Sequence, residues 1–240
     1  MPRAALVTGA NKGIGLAVAA GLGRLGHTVF LGARDDSRGR AAAARLEEAG
    51  LDVHFVRLDV DDDRSVVDAA RVIEARVGRL DVLVNNAAIK LERAPSPPSE
   101  SSLATVRATF ETNVFGAIRV LLATLPLLRR SDAARIVNVS SGLGSLGLAT
   151  TEGSRYQARP LLGYNASKAA LNSVTVQFAN ELRGTTCKVN AVDPGLVNTD
   201  MTNLGTRTPE DGATVVLRLA TLAADGPTGG FFDERGELPW

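Results

Sequence analysis

The chain alternates short apolar runs with longer stretches in which apolar residues recur at helical spacing. Seven apolar runs have the length of strands: residues 4–7, 28–31, 53–58, 80–84, 135–139, 187–192 and a short one near Phe231. Six stretches with helical periodicity lie between them: residues 14–25, 38–49, 63–77, 103–128, 163–182 and 209–222. Continuous apolar strands that alternate with amphipathic helices are typical of a parallel sheet covered on both faces. The pattern therefore predicts an α/β fold with a doubly wound parallel sheet of about seven strands.

No break in composition marks a second domain. A chain of 240 residues, 45% of them hydrophobic, is long enough to bury one large core. The proline- and serine-rich run at residues 95–99 has the composition of a linker, but strand and helix units continue beyond it in the same rhythm. We interpret it as a surface loop. We therefore predict a single domain over residues 1–240.

Charge and composition favour small-molecule partners. The net charge is +1, and no run of Lys and Arg provides the electrostatic surface that nonspecific nucleic-acid binding needs. The single cysteine, Cys187, excludes an internal disulfide. Because neither a signal peptide nor an apolar stretch of membrane-spanning length is evident, we expect no membrane association and a cytoplasmic location. His27 and His54 lack metal-ligand spacing, and the acidic residues 61–63 are interpreted as a helix cap, so no metal is expected.

A glycine-rich loop connects the first predicted strand to the first predicted helix. Backbone amides at such a helix N-terminus can hold a pyrophosphate, in the manner of a Rossmann-type sheet. The spacing is G-x-x-x-G-x-G rather than the more familiar G-x-G-x-x-G, so the assignment depends on the strand–turn–helix context. The predicted cofactor-binding residues of this loop are Gly9, Asn11, Lys12, Gly13, Ile14 and Gly15.

The end of the second strand indicates which nicotinamide cofactor binds. Enzymes selective for NAD usually place a carboxylate here against the ribose hydroxyls, but this chain has Ala33 followed by Arg34. A small residue and an arginine leave room and charge for a 2′-phosphate, which Lys12 is also positioned to reach. The sequence therefore favours NADP(H). Asp35 is a competing feature, since an ion pair with Arg34 would weaken that preference.

Tyr164 and Lys168 form the most informative pair in the chain. At positions i and i+4 of a helix they lie on one face, where an ammonium near a phenol favours the ionised phenol. Such a tyrosine is expected to exchange protons near neutral pH. The pair alone is a weak signal, but together with the glycine-rich loop it predicts hydride transfer with the tyrosine as acid.

Five motifs in order resemble the short-chain dehydrogenase/reductase family over essentially the whole chain. They are Thr8-Gly9-x-x-x-Gly13-x-Gly15, Asp59-Val60, Asn85-Asn86-Ala87-Ala88, Ser140-Ser141 with Tyr164-x-x-x-Lys168, and Pro194-Gly195. Within the family, the Ala33-Arg34-Asp35 segment, the long interval from Ser141 to Tyr164 and the C-terminal ending are most similar to NADPH-dependent carbonyl reductases.

The resemblance implies how the adenosine half of the cofactor is held. Asp59 would bind the adenine amino group, with Val60 as its backbone neighbour. Asn86 and Ala87, after the fourth strand, would line the adenosine and ribose. Family members usually have glycine where this chain has Ala88, which changes the fine geometry there.

The resemblance also assigns the nicotinamide half. Pro194, Gly195 and Val197 match the segment that faces the carboxamide, and Thr199 matches a residue that bonds this amide or the pyrophosphate. Residues up to about 139 would then form the cofactor-binding part. Residues 140–240 would form the catalytic and substrate part.

Four catalytic residues are implied by the same resemblance. Tyr164 would donate the proton, Lys168 would hold the ribose hydroxyls and favour the phenolate, and Ser141 would hydrogen-bond the substrate carbonyl. Ser140 is the alternative to Ser141. Asn113 matches an asparagine that distorts a helix and positions a water linked to Lys168.

These roles predict an NADPH-dependent reductase of a ketone or aldehyde, acting on a small-molecule carbonyl substrate. One alternative is a reductase of carrier-bound β-ketoacyl groups, for which Arg155 and Arg159 would supply a basic docking patch. Another alternative is a protein that senses NADP(H) without turnover. The intact proton-donor set argues against the sensor.

Two segments near the predicted site depart from the family pattern. The interval between Ser141 and Tyr164 contains an insertion around residues 150–156 that we expect near the mouth of the site. In similar carbonyl reductases an insertion here covers an oligomer interface, so a monomer is predicted. The alternatives are a homo-oligomer and a flexible surface loop with no such role. The short polar segment 198–208 predicts an open pocket. Trp240 is expected to anchor the tail by packing.

Overall fold

The computed structural model describes residues 2–92, 96–202 and 205–240. Its strands are β1 (Ala4–Thr8), β2 (Thr28–Ala33), β3 (Val53–Arg57), β4 (Val82–Asn85), β5 (Arg135–Val139), β6 (Lys188–Val192) and β7 (Phe231–Phe232). All seven pair in parallel in one sheet, in the order β3-β2-β1-β4-β5-β6-β7. The predicted doubly wound parallel sheet in a single domain is confirmed.

Helices cover both faces of this sheet. They are α1 (Gly13–Arg24), α2 (Asp36–Glu48), α3 (Asp63–Val77), α4 (Leu103–Phe110), α5 (Ala117–Leu128), α6 (Leu146–Thr150), α7 (Leu162–Glu181) and α8 (Pro209–Ala220). Because side chains alternate along a strand, neighbours such as Leu6 and Val7 of β1 belong to separate hydrophobic cores. One core receives α1, α2 and α8, and the other receives α3, α5 and α7.

Side-chain caps explain where several helices begin. Asp35 accepts a hydrogen bond from the Arg38 amide at the start of α2. Asp62 accepts from two amides at the start of α3, as expected for the acidic run, and Thr208 and Asp211 form a reciprocal capping box at α8. Among the described residues no group of His, Cys, Asp and Glu could hold a metal ion.

The chain order of the strands reverses between β1 and β4. Strands β2 and β3 extend the sheet on one side of β1, whereas β4 to β7 extend it on the other. Helices that follow β1 and β4 therefore leave toward opposite faces and open a crevice beyond the carboxyl ends of the strands. The N-termini of the covering helices meet at the same edge.

The loop expected at residues 95–99 falls partly outside the described residues, which exclude Pro95. Within the described part, Pro98–Glu100 forms a short 3-10 turn before α4. The C-terminal tail returns to the core, since the Trp240 ring stacks on Phe231 with ring centres 5.6 Å apart. The predicted packing role of Trp240 is confirmed.

One helical run corrects an expectation from the sequence. Residues Leu103–Leu128 form a continuous 26-residue helical stretch, long and apolar enough by length and composition to cross a membrane. In this structure 61% of its apolar window is buried inside the fold, so most of this apolar surface packs against other parts of the protein. The run contains α4, a π-helical turn at Glu111–Gly116 and α5.

Candidate active site

A cavity of about 600 Å³ lies at the carboxyl edge of the sheet, where the strand order reverses. Every residue predicted to bind cofactor or to act in catalysis lines this cavity, with the single exception of Asn113. Residues as distant in the sequence as Gly9 and Thr199 are therefore brought together. Thr199 approaches the glycine-rich loop closely, since a Cβ built on Gly13 would lie 3.4 Å from its methyl carbon.

The glycine-rich loop is packed so closely that a side chain at Gly15 would collide with neighbouring atoms. A Cβ on Gly15 would lie 2.5 Å from the Asn86 amide nitrogen and 2.6 Å from the Gly9 carbonyl oxygen, and Gly9 has a positive φ of 62°. The Asn86 side-chain amide stabilises the loop by donating hydrogen bonds to the carbonyl oxygens of Thr8 (2.9 Å) and Gly9 (3.2 Å). Asn86 therefore shapes the loop as well as lining the cavity.

The first turn of α1 fits a pyrophosphate. Its N-cap residue, Lys12, makes no side-chain capping bond, and the first turn contains no acidic residue, unlike the capped starts of α2 and α3. Unpaired amides at the positive end of a helix form a ready site for phosphate oxygens. The glycines prevent side chains from filling the space in front of these amides.

Arg34, directly after β2, provides a positive charge that could bind a phosphate group. The Arg34 side chain is exposed at the cavity, and no described residue forms a hydrogen bond or ion pair with it. The competing pairing with Asp35 does not form, because Asp35 caps α2 and faces Arg38 at 3.7 Å. Lys12 pairs with Asp200 at 2.7 Å, but both side chains are mostly exposed and solvent screens the pair.

Lys168 is a buried ammonium at the base of the cavity. Its side chain is almost fully buried, and Nζ donates to the Val139 carbonyl oxygen at 2.8 Å. Burial disfavours the charged form and lowers the pKa of Lys168 to about 8. The lysine is therefore close to its titration point at physiological pH.

Tyr164 differs from the sequence-based expectation. Its side chain is partly exposed to the cavity, and Lys168 Nζ lies 5.8 Å from the ring centre. The pKa of Tyr164 is raised to about 12: burial is the largest cause, the negative charge of Asp193 acts in the same direction, and a hydrogen bond to Ser141 opposes both. The prediction that Lys168 lowers the pKa of Tyr164 is wrong, because burial disfavours the charged phenolate and the pKa is raised instead. The phenol is held in the protonated form that a proton donor requires.

The two adjacent serines have different environments. Ser140 is buried and donates to the Asn172 side-chain oxygen at 2.6 Å. Ser141 accepts from the Leu143 amide at 3.2 Å and bonds to Tyr164, so its hydroxyl is fixed at the cavity surface. This arrangement favours Ser141 over Ser140 as the residue that faces a substrate.

Asn113 lies behind the cavity in the π-helical turn. Its side-chain oxygen accepts from the Ile89 amide at 2.8 Å, while its amide donates to the Ile89 carbonyl at 2.9 Å and to Ser167 at 3.0 Å. The helix distortion implied by the resemblance is present at this residue. The predicted link through water to Lys168 stays a prediction.

The insertion between Ser141 and Tyr164 packs against Gly142, the residue after Ser141, and its place at the mouth of the site stays a prediction. A Cβ on Gly142 would lie 2.5 Å from the Tyr156 ring, and Arg155 donates to the Tyr156 hydroxyl at 2.6 Å. Of the short polar segment at 198–208, Asn203 and Leu204 lie outside the described residues. The oligomeric state predicted from the insertion stays a prediction.

Two buried carboxylates at the site were missed by the sequence analysis. Asp193, directly before Pro194, lines the cavity, and burial raises its pKa although the Gly195 amide donates to it at 3.0 Å. Its position at the carboxyl end of a buried strand was the available sequence signal. Glu92 contacts the start of α7. The residues around Glu92 in the sequence give no indication of this contact, because its partner lies 71 residues away.

Comparison with known proteins identifies the family. The family model described as short chain dehydrogenase matches residues 3–209. The chain therefore belongs to the short-chain dehydrogenase/reductase family and is an oxidoreductase. The glycine-rich loop, the free α1 amides and the cavity fit the nicotinamide cofactor that this family binds.

Several relatives match over nearly the full length. The "Short-chain dehydrogenase anuI" of Penicillium roqueforti (strain FM164) is 37% identical over 223 residues, covering 90% of this chain and 87% of that protein. Human "Carbonyl reductase [NADPH] 1" is 34% identical and covers 98% of both chains. The NADPH-bound carbonyl reductase from chicken fatty liver has a TM-score of 0.86 at 28% identity, with 100% of this chain and 99% of that chain covered.

The high pKa of Tyr164 can be measured directly. The chain has two tyrosines, so a Tyr156→Phe variant leaves Tyr164 as the sole phenol. We expect no phenolate absorbance from the folded variant at about pH 10.5, where an ordinary tyrosine is mostly ionised. The urea-unfolded variant should titrate normally and serves as the control. Half-titration at or below about pH 10 in the folded protein would contradict the assignment.

Burial of the Lys168 ammonium should reduce stability. The pKa shift from 10.5 to about 8 corresponds to roughly 3 kcal/mol at neutral pH. The native state releases this proton above about pH 8 and the unfolded state only above about pH 10.5, so stability should rise with pH between these values. Urea unfolding should show this rise in the parent and not in Lys168→Met. An equal slope in both proteins would refute the buried charge.

Proposed function

We propose that the protein is an NADPH-dependent reductase that converts a ketone or aldehyde carbonyl to an alcohol, with Tyr164 as the proton donor. The observation that carries this proposal is the shared cavity. A protonated, partly exposed phenol and a fixed serine hydroxyl lie in the same cavity as a phosphate-binding loop and a buried lysine. The names of the human and chicken relatives, both NADPH carbonyl reductases, support the same activity.

The chain's own residues account for binding and proton transfer. When bound, the nicotinamide supplies the hydride to the carbonyl carbon. Ser141 and Tyr164 donate hydrogen bonds to the carbonyl oxygen, and these bonds strengthen as negative charge develops on it. The Tyr164 proton then passes to that oxygen and leaves a phenolate. The Lys168 ammonium stabilises this phenolate, which a proton from solvent restores to the phenol.

Asp193 influences the same proton transfer. Its charge raises the pKa of Tyr164, and the amides of Gly195 and Gly142 together with Arg155 partly neutralise it. A phenol with a raised pKa is a weaker acid, but it stays protonated at neutral pH. The charge therefore favours Tyr164 as donor in reduction over Tyr164 as base in oxidation.

The alternatives receive less support. The basic patch expected for a carrier-bound β-ketoacyl substrate includes Arg155, but this guanidinium stacks on the Tyr156 ring with its carbon 4.8 Å from the ring centre. It also bonds to the Tyr156 hydroxyl, so its donors are partly occupied. A protein that only senses NADP(H) does not need a proton donor. The hydrogen-bonded Ser141–Tyr164 pair has the arrangement of one, so it argues against the sensing role.

Turnover tests the reaction. NADPH oxidation is followed against ketones, aldehydes, quinones and β-ketoacyl thioesters, with Tyr164→Phe beside the parent. Loss of the proton donor should lower kcat by roughly 100-fold or more while NADPH affinity is kept. Carbonyl turnover that survives in Tyr164→Phe would refute Tyr164 as the donor. Tight NADPH binding with no turnover on any compound would favour the sensing alternative.

Arg34 is expected to set the cofactor preference. Removing a charge-assisted bond to a 2′-phosphate in Arg34→Ala should raise KM for NADPH by about ten-fold or more, with KM for NADH nearly unchanged. Arg38→Ala is the matched control, because Arg38 is also exposed but faces Asp35. Equal effects of the Arg34 change on both cofactors would contradict 2′-phosphate recognition.

A further inference from the structure

Glu92 is a buried carboxylate that lies outside the reaction described above. Only 8% of its surface is exposed. Its Oε1 accepts a hydrogen bond from the Gly163 amide at 2.8 Å, and its Oε2 accepts one from the Tyr164 amide at 2.9 Å. The Ser101 hydroxyl adds a weaker bond to Oε1 at 3.4 Å. The carboxylate thus contacts the backbone of the predicted proton donor.

These contacts replace a missing helix cap. The N-cap residue of α7 is Leu161, which has no side-chain acceptor. Gly163 and Tyr164 are the second and third residues of this helix, whose amides an N-cap side chain would normally satisfy. Glu92 satisfies both from a distant part of the chain. No described Lys or Arg pairs with it, so amide dipoles and the positive end of the helix compensate its charge.

Packing fixes this end of α7 closely against its surroundings. A Cβ on Gly163 would lie 3.2 Å from the Val106 Cα of α4 and 3.3 Å from Glu92 Oε2. The first turn of α7 is therefore seated between α4 and the Glu92 carboxylate. Tyr164 belongs to this turn, and Lys168 follows one turn later on the same face.

The segment that carries Glu92 is held at its other end by Asn113. The Asn113 side chain bonds both the amide and the carbonyl of Ile89, three residues before Glu92. Residues 89–92 therefore bridge the π-helical turn and the start of α7. Both contacts involve buried side chains, so the bridge has little freedom to shift.

We propose that Glu92 is a positioning residue for proton transfer: by capping α7 it sets the depth and orientation of Tyr164 relative to Ser141. This inference rests on the proposed function, in which Tyr164 is the donor. A misplacement of about 1 Å at a reacting group is enough to slow a reaction substantially. Glu92 itself does not touch the substrate.

The test compares Glu92→Ala and Glu92→Gln with Asp62→Ala. Asp62 is a matched control, because it also caps a helix by accepting two backbone amides, at the start of α3. Glu92→Ala should lower kcat at saturating NADPH by about ten-fold, with NADPH Kd within about two-fold of the parent. The solvent deuterium isotope effect on kcat should increase, since proton delivery becomes slower. Glu92→Gln, which keeps one acceptor, should fall between parent and Glu92→Ala.

Asp62→Ala should lose thermal stability and keep the parent kcat and isotope effect. The positioning role would be overturned if Glu92→Ala kept a parent-like kcat, if its NADPH affinity fell in proportion to kcat, or if Asp62→Ala lost kcat equally. If Glu92→Ala does not fold, the same comparison of kcat and NADPH affinity is made with Glu92→Gln, because glutamine preserves the side-chain volume.

Amide hydrogen exchange separates this inference from the proposed function. Exchange at Gly163 and Tyr164 should accelerate in the Glu92 variants and stay unchanged in Asp62→Ala, whether or not a substrate is known. Parent-like exchange there in both Glu92 variants would overturn the capping role. A parent that turns over no carbonyl compound, with accelerated exchange in the variants, would refute the reductase and leave the capping of α7 intact.

Discussion

The parallel pairing of β1 with both β2 and β4 is the constraint on which the site depends. Because the helices that follow β1 and β4 lie on opposite faces of the sheet, a crevice opens beyond the carboxyl ends of these two strands. The N-terminus of α1 points into this crevice, and the strand ends deliver Arg34, Asn86, Ser141 and Pro194 to its rim. The residues predicted to bind cofactor and substrate therefore meet at the carboxyl ends of the strands.

Backbone dipoles compensate three of the buried charges of this protein. Lys168 donates to the Val139 carbonyl, Glu92 accepts from two amides of α7, and Arg135 donates to four carbonyl groups that include Leu222 and Ala223. Burying a charged group costs free energy, and these backbone hydrogen bonds offset part of that cost. At Arg135 this arrangement joins the ends of secondary-structure elements. At Lys168 it keeps a titratable cation in the cavity, near Tyr164.

The site combines a rigid base with an accessible surface. Asn113 and Glu92 hold residues 89–92 between the π-helical turn and α7, behind the cavity. At the front, the exposed Lys12–Asp200 pair joins the glycine-rich loop to the segment after β6. The proposed proton donor, Tyr164, is attached to the buried side, whereas the contacts on the exposed side are screened by solvent.

The sequence by itself determined the alternation of strands and helices, the phosphate loop and the Tyr164–Lys168 pair, because periodicity and short spacings are local properties of the chain. The tertiary structure decided the pKa of Tyr164, which sequence reasoning placed too low, since desolvation depends on what packs around a phenol. It also decided that Asp35 caps α2 instead of pairing with Arg34, and that Glu92 caps α7. Contacts between residues some 70 positions apart follow from how the elements pack, which no local pattern encodes.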